Sequence, residues 1–241
     1  MAKEYKAAMI VIGSEILSGR TKDENINYVA GKLVARVIEL SEVRVIPDDE
    51  GVIIDSVNDL KGRFDYVFTS GGIGPTHDDI TALSVAKAFG VKLEINQSVY
   101  ELLKNEYIGG DFTQASVKMA MLPENAELIP NPLSAAPGFI IENVYVMAGV
   151  PIIMHRMMDY VADIIIGGDI VQSRSVSCSF GESRIAKELA DIQDAFPNVD
   201  IGSYPHFKDG EKGVGIVLRS INENDLNKAE QSVLDMVKSK L

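Results

Sequence analysis

The chain has 241 residues, 46% hydrophobic and 24% charged, enough for one large domain plus a small one, and this composition argues against disorder. Its formal net charge of −12 argues against nonspecific binding to nucleic acid or to an anionic membrane, because neutralising phosphates takes clustered Lys and Arg. A single cysteine, Cys178, rules out an intrachain disulfide, and with no membrane-length apolar run and no signal-peptide pattern at the N-terminus a cytoplasmic protein is expected.

Taken in order, Ala7–Ile12 is a continuous apolar run, the pattern of a strand buried on both faces. The loop from Gly13 to Gly19 that follows carries Glu15. A helix is predicted from Asp23, with Ile26, Val29, Leu33 and Val37 at helical spacing. Asn25 in its first turn is a cap, an exposed polar position, or a reach toward a ligand at the strand end. Glu42–Ile46 reads as the second strand, closed by Pro47-Asp48-Asp49, and the next helix carries Val52, Ile53, Val57 and Leu60. The third strand, Asp65–Thr69, runs into Gly71, Gly72 and Gly74, and a helix with Ile80, Leu83, Val85, Ala86 and Phe89 follows, closed by Gly90. The order β-α-β-α-β-α implies a parallel sheet with right-handed crossovers and a site at the C-terminal ends of the strands. Three acid-bearing loops then share one rim, carrying Glu15, Asp48 and the pair Asp78 and Asp79.

A strand, a glycine turn and a helix N-terminus together form a geometry that holds phosphate on backbone N–H groups. Asp78 and Asp79 are expected at that helix start, where they either cap the helix or hold a divalent metal against a diphosphate. Residues 91–130 read as an excursion with helices over 97–107 and near 114–121, separated by the break Gly109-Gly110-Asp111. Asn131–Gly138 is too rich in proline and small residues for a regular element and reads as a stiff loop over a ligand or a surface crossing. Phe139–Met147 reads as a hairpin turning near Glu142-Asn143, and a helix from Pro151 to about Ile165 follows. Gly167-Gly168 marks a boundary between a domain over 1–166 and one over 169–241, the latter with a β-α-β-β-α pattern. His77, His155 and His206 lack metal-ligand spacing, Cys178 sits in an alternating strand pattern as a core residue, and Ser183 reads as a helix cap.

The motifs Gly13-Ser-Glu-Ile-Leu17, Asn25, Pro47-Asp48, Gly71-Gly-Ile-Gly-Pro-Thr-His-Asp-Asp-Ile-Thr81, Asn131-Pro132, Ala136-Pro-Gly-Phe139 and Gly149-Val-Pro151 occur in this order. The set resembles the N-terminal domain of the competence-damage protein CinA, of the molybdopterin-binding MoaB/MogA-like superfamily, and the corresponding domain of eukaryotic FAD synthases. The resemblance implies an α/β three-layer domain with a mainly parallel sheet, followed by a small α+β KH-like subdomain. It further implies a metal-dependent pyrophosphatase acting on ADP-ribose or a related dinucleotide such as FAD. The alternatives are a pterin-binding or adenylyl-transferring protein of molybdenum cofactor assembly, or a noncatalytic nucleotide-binding module.

Carried over, Asp79 and Asp48 would be catalytic, and Asp78, Asp79 and Glu15 would hold a divalent ion (Mg, Mn or Co), with potassium as an accompanying ion. Gly71, Gly72, Gly74 and Thr76 would hold one phosphate, and Ser134, Ala136 and Gly138 the other. Gly13, Glu15, Asn25, Thr81, Gly149 and Pro151 would complete the ligand site. A homo-oligomer with a small nucleotide or pterin ligand is expected, with neither nucleic acid nor membrane as partner. The KH-like part is acidic, which disfavours RNA binding. Ser14, Ala148 and Asp78 depart from the family pattern; Asp78 stands where the adenylyltransferases carry Arg.

Overall fold

A computed structural model describes residues 4–106, 112–168, 172–208 and 211–240. The chain divides into two compact units, 1–168 and 169–241. In chain order the first unit contains β1 (Tyr5–Ile12), α1 (Ser14–Leu17), α2 (Asn25–Val34), β2 (Ile38–Ile46), α3 (Glu50–Lys61), β3 (Tyr66–Ser70) and α4 (Thr81–Phe89). Then come β4 (Leu93–Ile95), α5 (Gln97–Glu106), α6 (Gln114–Lys118), β5 (Met121–Pro123), β6 (Glu127–Ile129), β7 (Gly138–Ile141), β8 (Val144–Met147) and α7 (Pro151–Ile164). Six strands form one sheet in the order β2-β1-β3-β8-β7-β6, parallel through β8 and antiparallel at β7 and β6.

β1 is buried on both faces because successive side chains of a strand point to opposite sides. Ala8, Ile10 and Ile12 pack with Ile53, Val57 and Leu60 of α3, Val85 of α4 and Val99 and Leu103 of α5. Ala7, Met9 and Val11 meet Val29 and Leu33 of α2 and Met154, Met157 and Val161 of α7. The first unit is therefore helix, sheet, helix: an α/β three-layer domain with a mainly parallel sheet, as expected. The β7–β8 hairpin turns at Glu142, which takes a left-handed φ of 51°, beside Asn143, whose amide donates to the carbonyls of Lys61 and Phe64 and fixes the hairpin to the end of α3.

Several details differ from the sequence expectations. The loop after β1 contains the one-turn helix α1, and β2 starts earlier than the alternation at Glu42–Ile46 indicates. α4 starts at Thr81, so a loop separates the glycines from the helix, and Asp78 and Asp79 lie in that loop, not in the first turn. The excursion includes a small antiparallel pair, β4 with β5, and contributes the edge strand β6. Each of these strands spans three residues, too short to display a period. The helix near 114–121 stops at Lys118. The break at 109–111 and the end of the preceding helix at 107 lie outside the described residues.

The second unit has β9 (Gln172–Cys178), one 3₁₀ turn, α8 (Ala186–Ala195), β10 (Asp200–Lys208), β11 (Glu211–Ser220) and α9 (Glu223–Ser239). Its sheet is antiparallel in the order β10-β11-β9, and its core gathers Ile185, Val214, Ile216, Leu218, Leu226 and Val233, with Cys178 buried among them. The Asn222 side chain caps α9 by accepting from the N–H groups of Asn224 and Asp225. Among the described residues, no helix is long and apolar enough to cross a membrane.

Candidate active site

The C-terminal ends of the parallel strands open into a cleft of 620 Å³. Its acidic side carries Glu15 from α1, Asp48 from the loop after β2, and Asp78 and Asp79 from the loop after β3. Across from them lie Asn131, Ser134 and Ala136, and the start of α7 at Gly149, Val150 and Pro151. Parallel topology produces this convergence, since every strand end of a parallel sheet faces the same rim.

Two glycines after β3 take backbone conformations that side chains resist. Gly71 has φ 112°, and a Cβ there would stand 2.1 Å from the Ile12 carbonyl oxygen. Gly72 has φ 69°, and its Cβ would stand 2.2 Å from Thr81 Oγ1. Thr81 is fully buried and fastens the turn by donating its hydroxyl to the Gly71 carbonyl (2.9 Å) and its N–H to the Gly72 carbonyl (3.0 Å). The Gly71 N–H is itself used by the Met147 carbonyl (3.1 Å), and the backbone of Gly72 and Gly74 borders the cleft.

The loop acids are held from within. The Thr76 N–H donates to Asp79 Oδ2 at 2.8 Å, and the Thr76 hydroxyl lies against both Asp78 Oδ1 and Asp79 Oδ2. One hydroxyl proton therefore serves two carboxylates. The Thr76 hydroxyl, followed by the Asp78 backbone N–H, holds the Asp78 carboxyl below its usual range. Lys118 of α6 donates to the Thr76 carbonyl and brings positive charge beside this loop. On the other side, Asp48 Oδ2 accepts from the N–H (2.9 Å) and hydroxyl (3.0 Å) of Ser14, the first residue of α1. The Pro-rich loop is braced by Asn131, whose amide donates to Ser134 Oγ at 2.7 Å and to the Ala136 carbonyl at 2.9 Å.

Of the residues singled out from sequence, the cleft lining includes Glu15, Asp48, Gly71, Gly72, Gly74, Asp78, Asp79, Ser134, Ala136, Gly149 and Pro151. Gly13, Asn25, Thr76, Thr81 and Gly138 are not part of that lining, Thr76 being exposed in the loop beside it. Gly13 lies under the Glu15 carboxylate, where a Cβ would come within 2.5 Å of Oε1. Asn25 is buried at 4% exposure, and its amide donates to Ser70 Oγ (2.7 Å) and the Gly149 carbonyl (2.9 Å), positioning the turn into α7. Gly138 is a sheet glycine of β7: a Cβ would meet the Val146 carbonyl oxygen at 2.4 Å, so close strand packing explains it without a phosphate. Among the described residues, no three carboxylate, imidazole or thiolate groups converge as a ready-made metal site.

Sequence reasoning overlooked Thr21, Met119, Val150 and Ile153, which also line the cleft. Of the two helix starts named from sequence, the one in the lining belongs to α7, while the Thr81 N–H at the start of α4 is used by the Gly72 carbonyl. Pro151 at the first position of α7, with Gly149 before it, was the available signal. Met119 carries none, because only the folded chain brings the excursion to the rim.

A three-layer α/β domain with a glycine loop and acidic loops at the ends of its parallel strands defines the class: a domain with a small-molecule cleft at that rim. Residues 8–166 match the family described as probable molybdopterin binding domain, and residues 170–241 match the FAD synthase, middle domain. The chain belongs to the molybdopterin-binding, MoaB/MogA-like family. It is 34% identical over 229 residues to a protein of Archaeoglobus fulgidus, covering 93% of each chain. It is 33% identical to a probable FAD synthase of Caenorhabditis elegans, over 86% of this chain but 45% of that protein. A CinA-like protein of Citrifermentans bemidjiense is 35% identical over 64% of this chain and 39% of its own length. The solved CinA protein of Thermoplasma acidophilum, its function unknown, superposes with a TM-score of 0.63 at 32% identity, over 67% of this chain and 98% of that one.

Proposed function

We propose that the chain is a metal-dependent hydrolase that cleaves the diphosphate of ADP-ribose or a related dinucleotide such as FAD. The observation that carries this reading is the shared cleft: Glu15, Asp48, Asp78 and Asp79 border the same space as the backbone of Gly72–Gly74. The 33% identity to a probable FAD synthase, over 86% of this chain, supports a dinucleotide ligand.

A diphosphate among four carboxylates needs compensating charge. The positive end of the α7 dipole supplies a fraction of a charge. Asp78 and Asp79 would hold a divalent ion for the remainder, without Glu15, since no three such groups converge among the described residues. Their donor set fits one, since all the ligand atoms are hard carboxylate oxygens. The lack of a ready-made three-ligand group agrees with an ion that takes one or two carboxylates and fills its shell with substrate phosphate and water. When bound, such an ion neutralises the diphosphate and acidifies a water molecule.

The chain's own residues do the rest. Backbone N–H groups of the glycine loop orient one phosphate, and the Ser134–Ala136 segment closes on the other. Asp79, held by Thr76, positions a water in line with a phosphorus and takes its proton. The water oxygen bonds to phosphorus, the bridging P–O bond breaks, and its electron pair leaves on the departing phosphate. ADP-ribose would give AMP and ribose 5-phosphate. The test is AMP release over a panel of dinucleotides, with and without added Mg²⁺, Mn²⁺ or Co²⁺. Hydrolysis that requires the ion supports the reading. Full activity after exhaustive chelation removes the metal, and stoichiometric molybdopterin binding without hydrolysis favours a pterin-binding role.

A further inference from the structure

The lining of the acidic cleft includes four carboxylates and no lysine, arginine or histidine. A cation stands close by: Lys118, the last residue of α6, next to Met119, which does line the cleft. A lysine head sits on a flexible four-carbon stem, so its placement depends on how firmly the backbone beneath it is held. Here Ser116 and Ala120 on either side are buried, the Thr113 N–H donates to Ser116 Oγ (3.5 Å), and the Asn96 N–H donates to the Ala120 carbonyl (2.8 Å). Lys118 shares a mainly apolar wall with Leu93, Met121 and Leu122, and its ammonium reaches past that wall to the loop of Asp78 and Asp79.

Among the described residues, this ammonium donates to a backbone carbonyl, that of Thr76, and not to a carboxylate. The choice of partner matters, because an ion pair with Asp78 or Asp79 would occupy the oxygens that a metal ion needs. Thr76 is also the residue whose N–H and hydroxyl hold both acids, and its carbonyl takes the Asp79 N–H as well (3.3 Å). Those bonds are local to the turn. Lys118, 42 positions further along the chain, ties that turn to the rest of the domain. Its charge acts on Asp78 in the same sense as the Thr76 hydroxyl, which is the larger influence. We propose that Lys118 is a positioning residue for the diphosphate chemistry: it fixes the Asp78–Asp79 loop and offsets its charge while leaving both carboxylates open to a divalent ion. This deepens the hydrolase reading and rests on it.

The test compares the full chain with Lys118→Met, which keeps much of the stem and removes the charge and the donors, and with Lys118→Arg, which keeps both. Three quantities are measured: NMR order parameters of the backbone amides between Gly74 and Asp79 without ligand, the dissociation constant of Mn²⁺ by calorimetry, and the turnover of ADP-ribose. Lys118→Met is expected to loosen those amides, to weaken Mn²⁺ binding by about tenfold or more, and to lower turnover with it. Binding weakens because re-ordering a freed loop outweighs the screened repulsion that the lysine exerts on the ion. Lys118→Arg should behave as the parent does. A folded Lys118→Met chain with parent-like amides and Mn²⁺ affinity would overturn the assignment. So would tighter Mn²⁺ binding by that variant, an Arg variant as damaged as the Met one, or a parent that binds no Mn²⁺. A parent that hydrolyses nothing, while Lys118→Met still loosens the loop and weakens Mn²⁺, would leave the positioning role standing and remove the hydrolase reading instead.

Discussion

At the residue scale, the charge and strain of the site reside in a few side chains with named partners. Thr76→Val removes the one hydroxyl that serves both loop acids. The Asp78 carboxyl lies below its usual range chiefly because of that hydroxyl, so the variant should move its titration upward toward the ordinary carboxylate value. The sign for stability follows: a depressed carboxyl contributes above its unfolded pKa and loses that contribution as pH falls through the folded one. An NMR titration of the Asp78 side chain reads this directly, and an unmoved midpoint would show that the hydroxyl does not serve it. Asn25 makes a separate prediction. Asn25→Ala leaves the Gly149 carbonyl without its buried donor and should cost about 1–3 kcal/mol in denaturant unfolding. An unchanged midpoint would show that water replaces the amide without cost. Gly72→Ala combines a left-handed φ with a Cβ against Thr81, and strain of about 1–3 kcal/mol is expected with pyrophosphate binding weakened; a variant as stable as the parent would contradict the turn geometry.

At the scale of elements, α7 is where stability and ligand binding pull apart. Its N-cap is Val150, which is extended, exposed and without a side-chain cap bond. Val150→Asn and Val150→Asp should each stabilise the chain by about 0.5–1 kcal/mol, because either side chain caps the helix. Only Asp should weaken pyrophosphate binding, since it adds negative charge at the rim. Equal binding by the two variants would mean that this helix start does not face the anion. The elements also show what the sequence could and could not reveal. β1, α2, α3, β3, α4 and α7 were legible because each is long enough to display its period, and the site loops were legible because parallel strand ends must meet at one rim. β4, β5 and β6 were not, since three residues carry no period. The supporting positions of Asn25, Thr81 and Gly138 were hidden for a different reason. Asn25 meets Gly149 from 124 positions away, and Thr81 and Gly138 meet Gly71 and Val146 only once the turn and the hairpin close, so a polar or glycine position close to the site cannot be told from one lining it.

At the scale of the whole molecule, the two units have separate hydrophobic clusters, and every residue lining the acidic cleft lies in the first. A fragment of residues 1–168 should therefore unfold cooperatively and bind pyrophosphate as the full chain does. A disordered fragment, seen by circular dichroism and NMR, would show that the first unit needs the second to fold. The central claim is that the acidic cleft performs hydrolysis and does not merely bind. Asp79 tests it best, because Asn keeps the shape and can still accept from the Thr76 N–H while losing the charge and the basicity. The decisive measurement is the turnover of ADP-ribose and FAD by Asp79→Asn beside its thermal unfolding. The account predicts an unfolding midpoint close to that of the parent and turnover lower by ~100-fold or more, about 3 kcal/mol of transition-state stabilisation. A well-folded Asp79→Asn chain that hydrolyses at near the parent rate would contradict it.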